Sequence, residues 1–210
     1  KLRAGLHIYV REGSGAKNLE TLIKTMLDAG VCLDRCAFCT DDKHVEEIRK
    51  EGHISTCIRK AIALGVPVAK AYKMGSYQAA EFYGLKNYGA IGAGYRADIV
   101  FLDDLEQVRP LDVMKDGRIL TEEDYAKDYS VPVPDELLHT VHVGEVTKEK
   151  IRLSCDGKTD VIQMNPHQIV TTHLVEEVPA ENGYFKPDGV YNKICVVERQ
   201  RRRSGDFRCT

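Results

Sequence analysis

A chain of 210 residues with 43% hydrophobic and 30% charged side chains has room for a real core and for one or two domains. A net charge of −2 gives no global pull toward nucleic acid or a membrane surface, and no apolar run approaches the ~20 residues that span a bilayer. Seven cysteines, odd in number and irregular in spacing, do not describe a secreted disulfide scaffold and fit a reduced, cytoplasmic protein.

No signal peptide is visible, and Lys1 runs almost directly into a strand-like segment, so an upstream portion is expected to be missing. His7 to Arg11 reads as that strand, and Glu12-Gly13-Ser14-Gly15 reads as a turn. Leu19, Leu22, Ile23, Met26 and Leu27 then fall on one helical face between Asn18 and Gly30. A second strand leads to Asp41 or Asp42, either of which could cap a short helix through Val45 and Ile48. Ile54, Cys57, Ile58, Ala61 and Ile62 repeat the helical spacing and stop at Gly65. The order so far is two consecutive β/α units.

A further helix is predicted over Tyr77 to Tyr83, ending at Gly84. From there the pattern changes to strands at Ile99 to Leu102, Asp112 to Met114 and Arg118 to Leu120, with a turn at Asp116-Gly117. Asp98 and Asp103 are expected to satisfy backbone groups there, and a polar linker follows over Thr121 to Pro134. Short β-like runs recur at Ile151 to Leu153, Val161 to Met164, Ile169-Val170 and Ile194 to Val197. The four arginines around Gln200, from Arg199 to Arg203, are read as a solvated tail.

Chemistry concentrates in Arg35-Cys-Ala-Phe-Cys-Thr-Asp-Asp-Lys-His44. Read as a strand, it places Cys36, Phe38 and Thr40 on one side and Ala37, Cys39 and Asp41 on the other. Small side chains leading to a carboxylate at a strand's C-terminal end suit the mouth of a (β/α)8 barrel, where catalytic groups sit. Cys36 and Cys39 have zinc-ligand spacing, but three residues apart on a strand they face opposite ways, so they are read as buried apolar thiols. Glu12 is read as a turn residue or a partner of Arg11. The glycines Gly13, Gly15, Gly92 and Gly94 are turn residues and not a phosphate cradle.

Several stretches resemble the adenine deaminase branch of the amidohydrolase superfamily: Tyr9-Val-Arg-Glu-Gly-Ser14, Ala16-Lys-Asn-Leu19, Cys39-Thr-Asp-Asp-Lys-His44, Glu51-Gly-His-Ile54, Ala79 to Leu85, Gly89 to Val100 and Val196-Val-Glu-Arg199. The likeness is almost collinear from about residue 5 to 120 and thinner from 137 to 199. It implies an α/β fold: the last β/α units of a (β/α)8 metal-dependent hydrolase barrel, a small β-domain, and a mainly β or α+β C-terminal unit. The corresponding boundaries are 1–75 for the barrel part, 76–120 for the connecting helix and β-domain, 121–136 for a linker, and 137–210 for part of a C-terminal domain.

The resemblance also implies hydrolysis of adenine to hypoxanthine and ammonia with a divalent metal, manganese first and iron or zinc as alternatives. Asp41 matches the last-strand aspartate that binds metal and takes the proton from the attacking water. Glu12, Ser14, Asp42, His44 and His53 are weaker carry-overs, candidates for binding substrate and shaping the pocket. Adenine is the implied small-molecule partner, with no nucleic acid and no membrane; a homo-oligomer or an N-terminal half is expected to cover the exposed helix faces.

The family's metal-binding histidines lie on earlier barrel strands that do not occur in this sequence, and a histidine expected near the end is replaced by Gln200. Two β/α units cannot close an eight-stranded barrel, and one carboxylate cannot hold a catalytic metal. The chain alone is therefore expected to lack deaminase activity. Two alternatives stay open: another nucleobase or cyclic-amide hydrolase of the superfamily, and a non-catalytic structural or interaction module on the same scaffold.

Overall fold

The strand–helix–strand order at the N-terminus builds one parallel strand pair, which a crossover of this length permits. A computed structural model describes residues 1–138, 140–141, 145–166, 168–197 and the backbone of 207–209. Its contacts divide into two units, Lys1–Lys127 with Pro166–Ile169, and Asp128–Asn165 with Val170–Thr210. The Arg199 to Arg203 cluster, and with it the end of the Val196 to Arg199 stretch, lies outside the described residues.

In the first unit, β1 (Ile8–Arg11) and β2 (Cys36–Cys39) run parallel with Val10 opposite Phe38 and Arg11 opposite Cys39. Between them lies α1 (Leu19–Asp28), and after them come α2 (Val45–Glu51), α3 (Ile54–Ala63), α4 (Val68–Gly75) and α5 (Tyr77–Phe82). Helix α1 packs on β1 and α3, and α4 packs on α3 and β2. The spacing that predicts α1 and α3 is the spacing that buries them: Leu19, Ile23, Met26, Cys57, Ile58 and Ala61 join Val10, Cys36 and Phe38 in one core. Each leucine, isoleucine, valine, phenylalanine or methionine among them contributes about 1.5–3 kcal/mol when fully buried.

Helix α4 was not expected. Pro67 opens it, and Ala71 and Met74 are its buried residues. Its short apolar stripe of alanine and methionine is too weak to stand out by periodicity alone. Neither Asp41 nor Asp42 caps α2; His44 holds that position, and Asp42 spends its oxygens elsewhere, as described below.

The chain continues into an antiparallel sheet of β3 (Ile99–Asp104), β4 (Arg109–Lys115) and β5 (Arg118–Ile119). Asp116 and Gly117 both have positive φ (50° and 79°), the backbone of the tight hairpin that the Asp-Gly pair predicts. Asp98 accepts from the Asp116 N–H and pairs with Lys115 and Arg96, while Asp103 pairs with Arg109 rather than with backbone. The stretch read as linker contains a short helix, α6 (Glu122–Ala126), held by a reciprocal Thr121–Asp124 capping box.

The second unit is a set of small antiparallel pairs after a turn of helix, α7 (Asp135–Leu138). Strands β6 (Lys158–Met164) and β7 (Thr171–Glu177) form its main hairpin, and β8 (Ala180–Glu181) and β9 (Tyr184–Phe185) form a minimal one around Asn182-Gly183. Strand β10 (Cys195–Val197) pairs with β11 (Phe207–Cys209). Ile151 to Leu153 and Ile169-Val170, read as strands, are loop; only Ser154 forms a bridge, to Tyr184. No helix among the described residues is long and apolar enough to cross a membrane.

Candidate functional site

Alternation along the parallel pair gives the sheet two unlike faces. Val10, Cys36 and Phe38 go into the core, whereas Tyr9, Arg11, Cys39 and, just past the strand end, Asp41 point the other way. Toward the strands' N-terminal ends this second face, called the inner face below, carries partly exposed aromatic rings: Phe82 lies edge-on to Tyr9 at 4.9 Å, and Tyr83 is 6.0 Å from it. Burial, with the Tyr83 phenol adding to it, pushes the Tyr9 hydroxyl well above its usual pKa. Toward the C-terminal ends the face opens into a cleft of about 570 Å³ lined by Tyr9, Arg11, Asn18, Cys39 and Asp41.

At the open end the Arg11 guanidinium joins two loops. Its Nη1 donates to Asp41 Oδ2 at 3.2 Å, and its Nη2 donates to Asn18 Oδ1 at 2.7 Å. The Asp41 side chain is 56% exposed, and its backbone sits at φ 49°, a left-handed conformation uncommon for a residue other than glycine. The Asp41 carboxylate is thus held at the strand end by one arm of the Arg11 guanidinium and does not cap α2.

The other candidates do not converge on that point. Glu12 is buried and turns away from Arg11: Oε1 accepts from Lys60 of α3 at 2.6 Å, and Oε2 accepts from the Leu19 N–H at 3.4 Å. Asp42 accepts from the N–H groups of Gly15 (2.9 Å) and Ser14 (3.2 Å), and the Gly15 bond above all holds its carboxyl below the usual range. Ser14 Oγ donates to Glu47 at 2.5 Å and accepts from the His44 N–H at 2.9 Å. His53 Nε2 lies 2.8 Å from Thr40 Oγ1. Lys43, its side chain almost wholly buried, reaches Glu51 at 3.0 Å and ties the same loop to the end of α2.

Arg11 and Asn18 are the site residues that the sequence reading did not assign. The signal was available: a parallel partner in register puts Arg11 beside Cys39, two residues before Asp41, on the same face. As for a divalent metal, no three histidine, cysteine, aspartate or glutamate side chains among the described residues are grouped so that they could hold an ion. Cys36 and Cys39 do face apart, Cys36 in the core and Cys39 half-buried on the inner face. By themselves these residues do not fit a complete metal centre.

Residues 3–120 match the model of the amidohydrolase family. The chain is 40% identical over 202 residues to an adenine deaminase of Desulfitobacterium hafniense, with 96% of this chain and 35% of that protein covered. Adenine deaminases of Carboxydothermus hydrogenoformans and Clostridium acetobutylicum are 36% and 37% identical over 203 and 207 residues, again covering 35% and 36% of their length. The chain thus spans about a third of the length of the curated relatives it matches. A solved beta-aspartyl dipeptidase of Fervidobacterium islandicum is similar at TM-score 0.47 and 19% identity over 62% of this chain and 37% of that one, too weak a likeness to bear on the site. With more than half of its residues inside the family model, the chain belongs to the amidohydrolase family.

Proposed function

We propose that this chain supplies the Asp41 wall of an adenine deaminase active site, the enzyme hydrolysing adenine to hypoxanthine and ammonia. The observation that carries the reading is the placement of Asp41, exposed at the end of a parallel strand beside Arg11, in a chain 34–40% identical to curated adenine deaminases along almost all its length. In that reading residues 1–75 are the last β/α units of a (β/α)8 barrel, 76–120 the connecting helix and β-domain, 121–136 a linker and 137–210 part of a C-terminal domain.

Asp41 has two tasks here: to act as one ligand of a divalent cation, manganese before iron or zinc, and to accept a proton at a carboxylate oxygen. Arg11 orients that carboxylate, and Asn18 orients Arg11. Glu12, Ser14, Asp42, His44 and His53 act from behind, in and beside the loops that carry Arg11 and Asp41. Further ligands come from outside the described residues, so we place the working site in a larger cytoplasmic assembly, with additional barrel strands or a second copy covering the inner face.

The test is a chimaera in which this chain replaces the matching third of the Desulfitobacterium hafniense enzyme. Adenine-dependent ammonia release is expected, falling by about 10²–10⁴-fold in Asp41→Asn. A folded, manganese-loaded chimaera inert toward adenine but active on another nucleobase or cyclic amide would move the assignment within the family. One inert toward all of them would favour a non-catalytic module. Turnover by the 210-residue chain alone would refute its dependence on outside ligands.

A further inference from the structure

Two loops follow the strands that carry Arg11 and Asp41, and they are fastened to each other more densely than a pair of surface turns requires. Asp42 spends both carboxylate oxygens on the Ser14 and Gly15 N–H groups of the opposite loop. Ser14 returns the connection, its Oγ accepting from the His44 N–H and donating to Glu47. Both hydroxyl and carboxylate are thereby occupied by protein partners.

The Asp42 carboxylate lies so close to the loop backbone that a side chain at Gly13 or Gly15 would have to displace it. A Cβ on Gly13 would lie 1.8 Å from Asp42 Oδ1 and 3.1 Å from the Thr40 carbonyl oxygen, and one on Gly15 would lie 2.9 Å from Asp42 Oδ2. Gly13 does not have positive φ, so it is close approach rather than backbone freedom that calls for glycine there. The fastened loop leads from Arg11 to Asn18, and Asp42 is the residue after Asp41. The three members of the Arg11 bridge are therefore the flanks of the fastened segment.

We propose that Asp42 and Ser14 are positioning residues, a latch between the two strand-end loops that sets Arg11 and Asn18 against Asp41, and that neither contacts substrate. The assignment of a reacting role to Asp41 rests on the proposed function above; the latch does not, and its test uses no adenine.

The experiment is amide hydrogen exchange and side-chain NMR on the 210-residue chain. In the unmodified protein the Ser14, Gly15 and His44 amides exchange slowly. Asp42→Ala accelerates Ser14 and Gly15 about tenfold or more, as expected for hydrogen bonds to a charged acceptor. Ser14→Ala does the same to His44, and Ser14→Thr, which keeps the hydroxyl, restores its protection. Gly13→Ala opens the latch from the other side and reproduces the Asp42→Ala pattern with Asp42 intact.

The positioning role has its own readout. The Arg11 Nε–H resonance moves in Ser14→Ala and returns in Ser14→Thr, both of which keep the Asp42 charge that acts on Arg11 through space, and it stays in place in a control such as Glu122→Gln at the start of α6. Fast exchange at Ser14 and Gly15 in the unmodified chain overturns the latch. Accelerated exchange with an unmoved Arg11 resonance overturns the positioning role. Unfolding of Asp42→Ala leaves Ser14→Ala and Ser14→Thr to decide, since they alter one hydroxyl at a half-buried position. A deaminase chimaera that fails while these signals appear refutes the proposed reaction and leaves the latch standing.

Discussion

On one face of the β1–β2 pair, Val10 and Cys36 are fully buried and Phe38 is 4% exposed beneath the helices. On the other, one residue along each strand, Arg11, Cys39 and Asp41 line an open cleft. The backbone is the same and the spacing is two residues; what differs is whether the neighbours are methyl groups or a guanidinium. The core face has its partners within this unit, in α1, α3 and α4, and is complete. The inner face has an ion pair, an aromatic floor and no three-donor group among the described residues. Packing and exposed polar groups are thus separated across one layer of sheet, and they should respond to different substitutions.

The largest effect belongs to the core face. Phe38→Ala is expected to cost about 3–5 kcal/mol in urea unfolding, since α1, α3 and α4 cannot all collapse onto the void. Thiol chemistry reads the same contrast without a mutation. Burial pushes the Cys36 thiol up to about 11 and Cys57 up to about 12, so at pH 8 both stay protonated and enclosed. Iodoacetamide labelling followed by mass spectrometry should modify exposed Cys32 first and half-buried Cys39 next, leaving Cys36 and Cys57 until the chain unfolds. Equal labelling of Cys36 and Cys39 would break the two-face picture.

Between the two faces sits the Glu12–Lys60 pair, which connects the end of β1 to α3. Lys60→Met leaves the buried Glu12 carboxylate with the Leu19 N–H alone, an expected loss of about 1–3 kcal/mol. Replacing both residues, as Glu12→Leu with Lys60→Met, should recover most of it, because the unpaired charge and not the missing attraction is the cost. The pair also has a pH signature. Burial pulls the Lys60 pKa down, but the Glu12 carboxylate more than reverses this and leaves it raised. A raised folded pKa contributes stability that is whole below the unfolded value of ~10.4 and is lost as pH climbs through the folded one. Alkaline unfolding should therefore be shallower with pH in Lys60→Met than in the unmodified chain.

What could be read beforehand follows the same division. Helices α1 and α3 were legible because their apolar side chains recur at helical spacing and are buried for that reason. The hairpin at Asp116-Gly117 was legible because two consecutive positive φ angles call for such a pair. Asp41 could be singled out by its position after a strand and by resemblance. The partners of Asp42 could not be read, because they are the Ser14 and Gly15 N–H groups of a loop 27 to 28 residues away. Glu12, read as a turn residue or a partner of Arg11, has its ion-pair partner 48 residues away in Lys60, and nothing local announces that pairing. In the second unit, Ile151 to Leu153 has strand composition but no ladder, and β7 was passed over because its apolar residues Leu174 and Val175 sit among polar ones. Local pattern identifies segments; contacts between distant loops assign them roles.

The smallest expected effect is at Asp41 itself, and it bears most directly on the contrast between the faces. Asp41 sits at φ 49° with its side chain 56% exposed. Replacing it with glycine relieves a left-handed conformation that costs an L-residue about 1–2 kcal/mol, less for aspartate than for most. The same change adds chain entropy to the unfolded state, about 0.4–1 kcal/mol, and removes an exposed ion pair contributing about 0–1 kcal/mol. These terms nearly cancel, so Asp41→Gly should unfold within about 0.5 kcal/mol of the unmodified chain, and Asp41→Asn likewise, since asparagine tolerates this region. Asp41→Val, β-branched and intolerant of positive φ, should cost about 1–3 kcal/mol at the same position. Thermal or urea unfolding of the three variants decides it. If glycine costs as much as Phe38→Ala, Asp41 belongs to the structure and the inner face is a second packing surface. If glycine is neutral and valine is not, the fold bears backbone strain at Asp41 without gaining stability from its carboxylate, the balance expected of a residue kept for its chemistry.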